Sequence, residues 1–459
     1  MMQLSETATL TGGILNGTDR DYEAVCTDTR EDLAGKLFIA LRGERFDAHA
    51  FIAQAATQGA AGALVEQACP HEKPDGFPTV SVPDTRLALG ALAAAWRRRF
   101  DLPLIGVTGS NGKTTVKEMC AAILRAWHPG KEAVLATQGN LNNDIGVPQM
   151  LLRLRPQHRA AVIEMGMNHP GEIAYLAEMV APTVAVVNNA QRAHLAGMGA
   201  LDAVAQEKGE IFAALDGAGQ AAINIDDPHA AYWQALCASR RVLTFGFNER
   251  AEIRGSYKAL AFGSSVVLWT PWGEANFTLD VPGQHNVRNA AAAAAATLAA
   301  GAPLDAVSRG LDHFSGAKGR LQVRHARGGA VVLDDTYNAN PDSMRAAIDV
   351  LAASAGKKIL ALGDMGEIGE MSAQCHDEIG GYAKSQGVDR LFALGEHSAL
   401  AARNFGAGGE HFSSIDELVA ALEAALAPDV VVLVKGSRFM RMERVADALA
   451  MSRNNTTKV

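Results

Sequence analysis

The sequence predicts an α/β protein of three domains. Three observations carry that expectation: the chain length, the alternation of apolar strand-like runs with amphipathic helical ones, and two points where the alternation breaks. At 459 residues the chain exceeds what a single hydrophobic core usually covers. Its composition, 48% hydrophobic and 20% charged, is that of a globular protein. The breaks fall near Pro83 and in the stretch SGAKGR, which divides the chain into residues 1–83, 84–315 and 316–459.

In the first unit, KLFIAL reads as a strand, DAHAFIAQAATQG as a helix and AGALVE as a second strand, a small α/β domain. The helical segment LALGALAAAWRRRF then leads into the strand LPLIGV. Further buried-strand signals follow in AAVIEMG and TVAVVNNA, and RGSYKALAFGSSVVLWTPWG has β character. Beyond SGAKGR come AVVLDDT, KILALGD, RLFALG and VVVLVKGS, each followed by a helical pattern. That is the signature of a second parallel sheet, a Rossmann-like C-terminal domain.

Composition also excludes function classes. A net charge of -8 argues against a nucleic-acid binder. The five cysteines, Cys26, Cys69, Cys120, Cys237 and Cys375, show no CxxC spacing, so neither a zinc ribbon nor a disulfide framework is expected. MMQLSETATLTGG lacks the basic-then-apolar layout of a signal peptide, and RNAAAAAAATLAAG is too short to span a bilayer. The expectation is a cytoplasmic protein without membrane insertion.

The chemistry centres on GVTGSNGKTT, residues 106–115, between the strand LPLIGV and a helix. Val116, Met119, Cys120, Ile123, Leu124 and Trp127 recur at helical spacing, which puts Lys113 and Thr114 at the helix start. A helix N-terminus offers free N–H groups and a positive dipole end, and Gly109 and Gly112 let backbone approach phosphate oxygens. The central domain therefore reads as a P-loop-type mononucleotide-binding unit. Lys113 reaches phosphate there and the Thr114 hydroxyl reaches magnesium. The loop departs from GxxxxGK, because Val107 stands where the first glycine belongs.

Other residues read two ways. Glu164 ends a strand, where α/β sheets place ligand groups; it either orients magnesium or caps the next loop. His194 follows TVAVVNNA, and a lone histidine there is more often structural than metal-binding. Lys208 lies in a helical pattern, where lysines are ordinarily solvated. Asn286 and Asn289 share a helix face and suit either a nucleobase edge or a cap. Asn340 precedes Pro341 and can cap a helix. KGSR, Lys435 to Arg438, follows a strand and suits an anion.

Together these segments resemble the Mur ligase family, ATP-dependent amide-forming enzymes of bacterial cell-wall synthesis. The family loop TG[ST][NS]GKT[TS] is matched from Thr108 to Thr115, including Ser110, Asn111 and Thr115, which accounts for the off-register glycine. TDTR with FIALRGERFDAHAF, GNLNNDIGVP, VIEMGMNHPGEI, DDTYNANPDSM, LGDMGEIG and LVKGSR resemble one kind of member, in order along nearly the whole chain. That resemblance implies a ligase joining D-alanyl-D-alanine to UDP-N-acetylmuramoyl-tripeptide through an acyl phosphate. ATP and Mg2+ are the implied cofactors and a monomer the implied state. It implies magnesium at Glu164 and His194, and a carbamylated lysine at Lys208, fourteen residues after the histidine. It implies adenine, phosphate and ribose contacts at Asn286, Asn289, Arg320 and Asp335. It further implies the UDP-sugar at Thr29, Arg30 and Arg42, the same substrate facing Asn142 and Asn143, and the dipeptide near Asn338 and Asn340. Two readings compete: a sister ligase such as a folylpolyglutamate synthase, which is not expected to carry GNLNNDIGVP or YNANPDS, and a nucleotide-gated binding protein without catalysis.

Overall fold

Apolar runs without polar alternation, such as AAVIE and VAVV, suit strands covered on both faces. The computed structural model, which describes residues 1–43, 46–69, 71, 73–130, 132–193 and 195–450, folds them that way: Ala160–Glu164 and Val184–Val187 are buried at every position. Both belong to a nine-stranded sheet. In spatial order its parallel strands are Val134–Ala136, Ala160–Glu164, Leu104–Thr108, Val184–Val187, Gln220–Asn224, Arg241–Gly246 and Ile253–Leu260. Gly263–Thr270 and Gly273–Leu279 extend it antiparallel. The strand Leu104–Thr108 lies third from one edge, with the chain winding away to either side of it, so its C-terminal end is a switch point where such sheets hold ligands.

Two helices seal one face of this sheet. Lys113–Trp127 buries Val116, Met119, Cys120, Ile123 and Leu124 completely, each contributing about 1.5–3 kcal/mol. The alanine-rich helix Gln284–Ala299 lies beside it, and its run from Ala290 to Ala296 is buried throughout. Methyl-sized side chains let this helix approach both its neighbour and the sheet, so the alanine run is a packing device.

Before this sheet stands a smaller one, ordered Ile14–Asn16, Thr79–Val82, Gly62–Glu66, Lys36–Ile39 and Ala24–Cys26, antiparallel at the first pairing and parallel thereafter. The expected helix over DAHAFIAQAATQG forms as a 3-10 turn, Ala48–Phe51, running into Ile52–Thr57. Asp84 then caps the helix Thr85–Arg97, accepting from the amides of Arg86 at 2.7 Å and Leu87 at 2.9 Å.

After SGAKGR a six-stranded sheet follows, ordered Gln322–His325, Val331–Asp335, Val430–Lys435, Lys357–Gly363, Arg390–Leu394 and Gly409–Phe412. Only its first pairing is antiparallel. Its switch point lies between Lys357–Gly363 and Val430–Lys435, and the strand ends there face those of the central sheet across a shared cavity. Among the described residues no helix is long and apolar enough to cross a membrane. All five cysteines are free.

Candidate active site

The loop Gly109–Gly112 turns sharply between strand and helix because two glycines permit it. Gly112 has φ 81°, and a Cβ there would sit 2.5 Å from both Asn188 Nδ2 and Asn289 Oδ1. Those amides buttress the loop from behind: Asn188 Nδ2 donates to the Asn111 carbonyl and to Asn289 Oδ1, both at 2.9 Å. Asn189 Oδ1 accepts from the Asn111 amide at 2.9 Å. Asn286 Nδ2 donates to the Pro282 carbonyl at 2.7 Å, and Asn286 Oδ1 accepts from Asn289 at 3.3 Å. Both helical asparagines are thus buried behind the loop while also lining the cavity. The Lys113 ammonium curls over the loop, donating to the Gly109 carbonyl at 2.7 Å and the Ser110 carbonyl at 3.3 Å. Burial pushes Lys113 below its ordinary pKa, while the Glu164 charge acts in the opposite sense.

Glu164 is 2% exposed and held on one side only. Its Oε1 accepts from Asn142 Nδ2 at 2.8 Å, and its backbone N–H donates to the Thr137 hydroxyl at 2.9 Å. Its Oε2 is buried with no hydrogen-bond partner among the described residues. A buried carboxylate oxygen without a partner is costly unless a cation or donor completes it. Lys208, in the helix Leu201–Gly209, is 1% exposed, which overturns the expectation of a solvated helical lysine. Burial, reinforced by the Lys113 charge, pushes its amine well below the ordinary 10.5, while the Glu207 charge acts in the opposite sense. The preceding Glu207 accepts from the amides of Gly171 and Ile173, both at 2.8 Å, which ties this helix to the NHPGEI segment. The Thr114 hydroxyl stands at the loop end and accepts from Arg320 Nη2 at 3.3 Å. His194 lies outside the described residues.

A carboxylate with an unclaimed oxygen and a helix-start hydroxyl form a donor set that suits magnesium, which takes one or two carboxylates and completes its shell with substrate phosphate and water. Among the described residues no group of three or more His, Cys, Asp or Glu gathers.

From the C-terminal sheet come Arg320, Asp335 and the segment 336–340. The Arg320 guanidinium stacks 3.9 Å from the Tyr337 ring centroid, and its Nε is a buried donor with no partner among the described residues. Asp335 accepts from Lys435 at 2.5 Å and from the Leu321 amide at 3.1 Å. Asn340 caps the helix Pro341–Ala353 in a capping box with Ser343, as its place before proline predicts.

One cavity of about 1770 Å³ joins these parts. It is lined by Ser110 to Thr115, Asn142, Asn143, Glu164, Asn286, Asn289, Arg320, Asp335, Asn338 and Asn340, and also by Asp84 and Arg86 at the end of the first unit. Thr29, Arg30 and Arg42 do not line it. Arg30 is paired with Asp28 at 2.5 Å, Arg42 contacts Glu66 at 2.9 Å, and the Thr29 carbonyl accepts from Gln58 at 3.0 Å. Asn143 accepts from the Gly146 amide at 2.9 Å, at the start of a helix.

Sequence reasoning missed Asn188 and Asn189, although paired amides directly after a buried strand were a usable signal. It also missed Lys117, 1% exposed, which donates to the Thr137 carbonyl at 2.8 Å and follows Lys113 by one helical turn. Tyr257, Leu260 and Phe262, from the hairpin at the sheet's antiparallel edge, complete the cavity wall, and no local pattern announces that they reach it.

A glycine-rich phosphate loop on one doubly wound sheet, facing a second such sheet across a shared cavity, defines a P-loop-type α/β protein of several domains. Three family models match the chain: the Mur ligase family catalytic domain over residues 21–97, the Mur ligase middle domain over 107–297 and the Mur ligase glutamate ligase domain over 319–438. The UDP-N-acetylmuramoyl-tripeptide–D-alanyl-D-alanine ligase of Escherichia coli K12 is 43% identical over 450 residues, covering 97% of this chain and 98% of that protein. The Haemophilus influenzae ligase of the same name is 43% identical over 93% of each chain. The chain belongs to the Mur ligase family. Among solved structures, MurF from Acinetobacter baumannii superimposes with a TM-score of 0.88 at 36% identity, covering 97% of this chain and 98% of that one. MurF from Thermotoga maritima in complex with ADP gives 0.81 at 25% identity, covering 93% and 96%. A Mycobacterium tuberculosis folylpolyglutamate synthase shares the fold alone, with a TM-score of 0.64 at 18% identity over 79% of this chain and 94% of that one.

Proposed function

We propose that this chain is an ATP-dependent ligase that joins D-alanyl-D-alanine to UDP-N-acetylmuramoyl-tripeptide, a cytoplasmic step of peptidoglycan precursor synthesis on which cell shape and division depend. The observation that carries the reading is the single cavity onto which the phosphate loop, the half-satisfied Glu164 and the YNANP segment all open. Relatives 43% identical over nearly the whole chain support the choice of substrates.

The chemistry follows from a poor electrophile. A peptide carboxylate resists amines because resonance and charge oppose attack. One of its oxygens attacks the γ-phosphorus of ATP, the bond to the β-phosphate oxygen breaks, and ADP departs. The dipeptide amine, having lost its proton, then attacks the acyl phosphate carbonyl, and the tetrahedral intermediate expels inorganic phosphate. The loop amides and Lys113 hold the phosphates in line, and Arg320 offers its unclaimed Nε–H to phosphate. Thr114, Glu164 and His194 would hold magnesium, which when bound supplies neutralising charge at the phosphate oxygens.

Lys208 joins that set as a carbamate. Its buried amine, once unprotonated, adds to CO2 and releases one proton, which turns a base into an anionic oxygen donor; the lowered pKa supports that step. Asn286, Asn289 and Asp335 serve the nucleotide, Asn142 and Asn143 face the UDP-sugar substrate, and Asn338 lies beside the dipeptide. Residues 1–83, with Thr29, Arg30 and Arg42, hold the UDP-sugar, 84–315 hold ATP, and 316–459 receive the dipeptide, in a monomer. Closure of the three units keeps water from the acyl phosphate.

The test is phosphate release from ATP with the two substrates supplied singly and together. Release that requires both, with formation of the UDP-MurNAc-pentapeptide by mass, supports the reading. Release with neither pair, or only with a folate and glutamate, sinks it. Light scattering of the purified protein checks the monomer.

A further inference from the structure

Between the phosphate loop and the YNANP segment runs a set of side-chain contacts whose role the chemistry above leaves open. The residues next to the loop are laced to it: the Gln191 amide donates to the Ser110 hydroxyl at 2.9 Å, and Gln191 Oε1 accepts from Asn111 Nδ2 at 2.7 Å. The next residue, Arg192, reaches across to the first turn of the helix Pro341–Ala353. Its Nη2 donates to Asp342 Oδ1 at 2.6 Å, its Nε to the same oxygen at 3.1 Å, and its backbone N–H to Oδ2 at 2.8 Å. Beside this ion pair, Asn340 Nδ2 donates to Asn111 Oδ1 at 2.8 Å, and Asn340 Oδ1 accepts from Asn111 Nδ2 at 3.3 Å.

The amide of Asn340 is thereby committed to protein partners, since its Oδ1 also accepts from the Ser343 amide at 2.9 Å. The segment is anchored from its own unit as well: Lys435 donates to the Asn338 carbonyl at 2.9 Å and the Ser437 hydroxyl to the Ala339 carbonyl at 3.0 Å. We infer that Arg192–Asp342, with Asn111–Asn340 beside it, forms a joint that sets the distance between the phosphate loop and the segment 336–340. Arg192, Asp342 and Asn340 are accordingly positioning residues, with Asn340 acting through Asn111 rather than on the dipeptide. This inference rests on the ligase reading for its kinetic consequence, but not for its geometry.

Physical reasons favour this role over one in stability. Arg192 and Asp342 are 34% and 23% exposed, so water screens the pair and its net contribution to folding is small. A carboxylate in the first turn of a helix is already favourable without the arginine. What the three bonds to one carboxylate add is direction: they fix the helix start relative to the loop. Phosphoryl transfer followed by amine attack depends on that separation, because displacement by about 1 Å costs up to a hundredfold in rate.

The experiment uses the full-length protein with Arg192→Ala, Asp342→Asn and the double substitution. Nucleotide-analogue affinity and melting temperature are expected to stay at wild-type values, while kcat/KM for the dipeptide falls about tenfold in each single variant. The double variant is expected to fall no further than either single one, because both remove the same contact. Small-angle scattering of the nucleotide-bound protein is expected to show a more extended particle for each variant than for wild type. Wild-type turnover in the variants together with unchanged scattering overturns the joint, as do losses that multiply in the double variant. A wild-type enzyme with no dipeptide-dependent phosphate release overturns the ligase reading instead, and scattering then decides the joint alone.

Discussion

At the strand ends of the C-terminal sheet, Asp335 and Lys435 stand opposite each other in register and close a contact of 2.5 Å. Lys435 adds the Asn338 carbonyl and Asp335 adds the Leu321 amide, so both groups are occupied. The central sheet gathers the same residue types at its switch point and leaves them unfinished. Glu164 keeps a buried oxygen with no partner among the described residues, Lys113 spends its ammonium on loop carbonyls, and Lys208 is held toward its neutral form. A completed ion pair fixes backbone, whereas a buried carboxylate oxygen without a partner favours a nearby cation or donor. The difference is one of pairing: the C-terminal pair is tied down within its own unit, and the central cluster keeps hydrogen-bonding capacity unspent among the described residues.

The sharpest way to break that contrast is Lys113→Ala. Loss of the loop cation should cost on the order of a thousandfold in kcat while leaving thermal stability near wild type. A comparable fall in melting temperature would make the central cluster an anchor too. Lys435→Ala should instead show first in stability, costing about 3 kcal/mol by stranding the buried Asp335 charge, as read from urea denaturation.

Lys208→Met sharpens the contrast through pH. The folded-state pKa of Lys208 lies well below the ordinary 10.5, so between those values the unfolded chain binds the extra proton. In CO2-free buffer, where the amine is unmodified, stability from this group therefore rises as pH climbs toward 10.5, and Lys208→Met should remove that rise. In denaturation series at increasing pH, an unchanged slope would mean that the lysine is paired in the folded protein.

His285, on the cavity wall, gives a smaller effect at the acid end. Burial pushes its imidazole down to about 4 from the ordinary 6.5, so the unfolded chain binds the extra proton across that window. As pH falls from 6.5 toward 4, folding should lose on the order of 2 kcal/mol through this group, and His285→Asn should flatten the loss.

The phosphate loop was legible because strand, turn and helix are contiguous: LPLIGV, the two glycines and the periodic apolar positions after Lys113 are each local signals. The same holds for Asn340, whose place before Pro341 announces a cap. Lys208 was not legible from its own neighbourhood. Its helix has the pattern of a surface helix, and only packing against other segments, the helix Glu172–Val180 among them, removes its water. The hairpin bearing Tyr257 and Leu260 fails for a related reason, since alternation marks a strand but not what its edge will face.

Features carried within short segments were therefore legible in residue order: where these strands and helices fall, which glycine turn joins them, and which Lys-Thr pair opens the helix. Burial and partnership arise between segments. That Glu164 keeps one oxygen unclaimed among the described residues, that Lys435 is paired with Asp335, and that Arg192 meets Asp342 all depend on which strand ends converge on one cavity. A side chain's charge state follows from the water and counter-charges around it, and those are present only once distant parts of the chain have met.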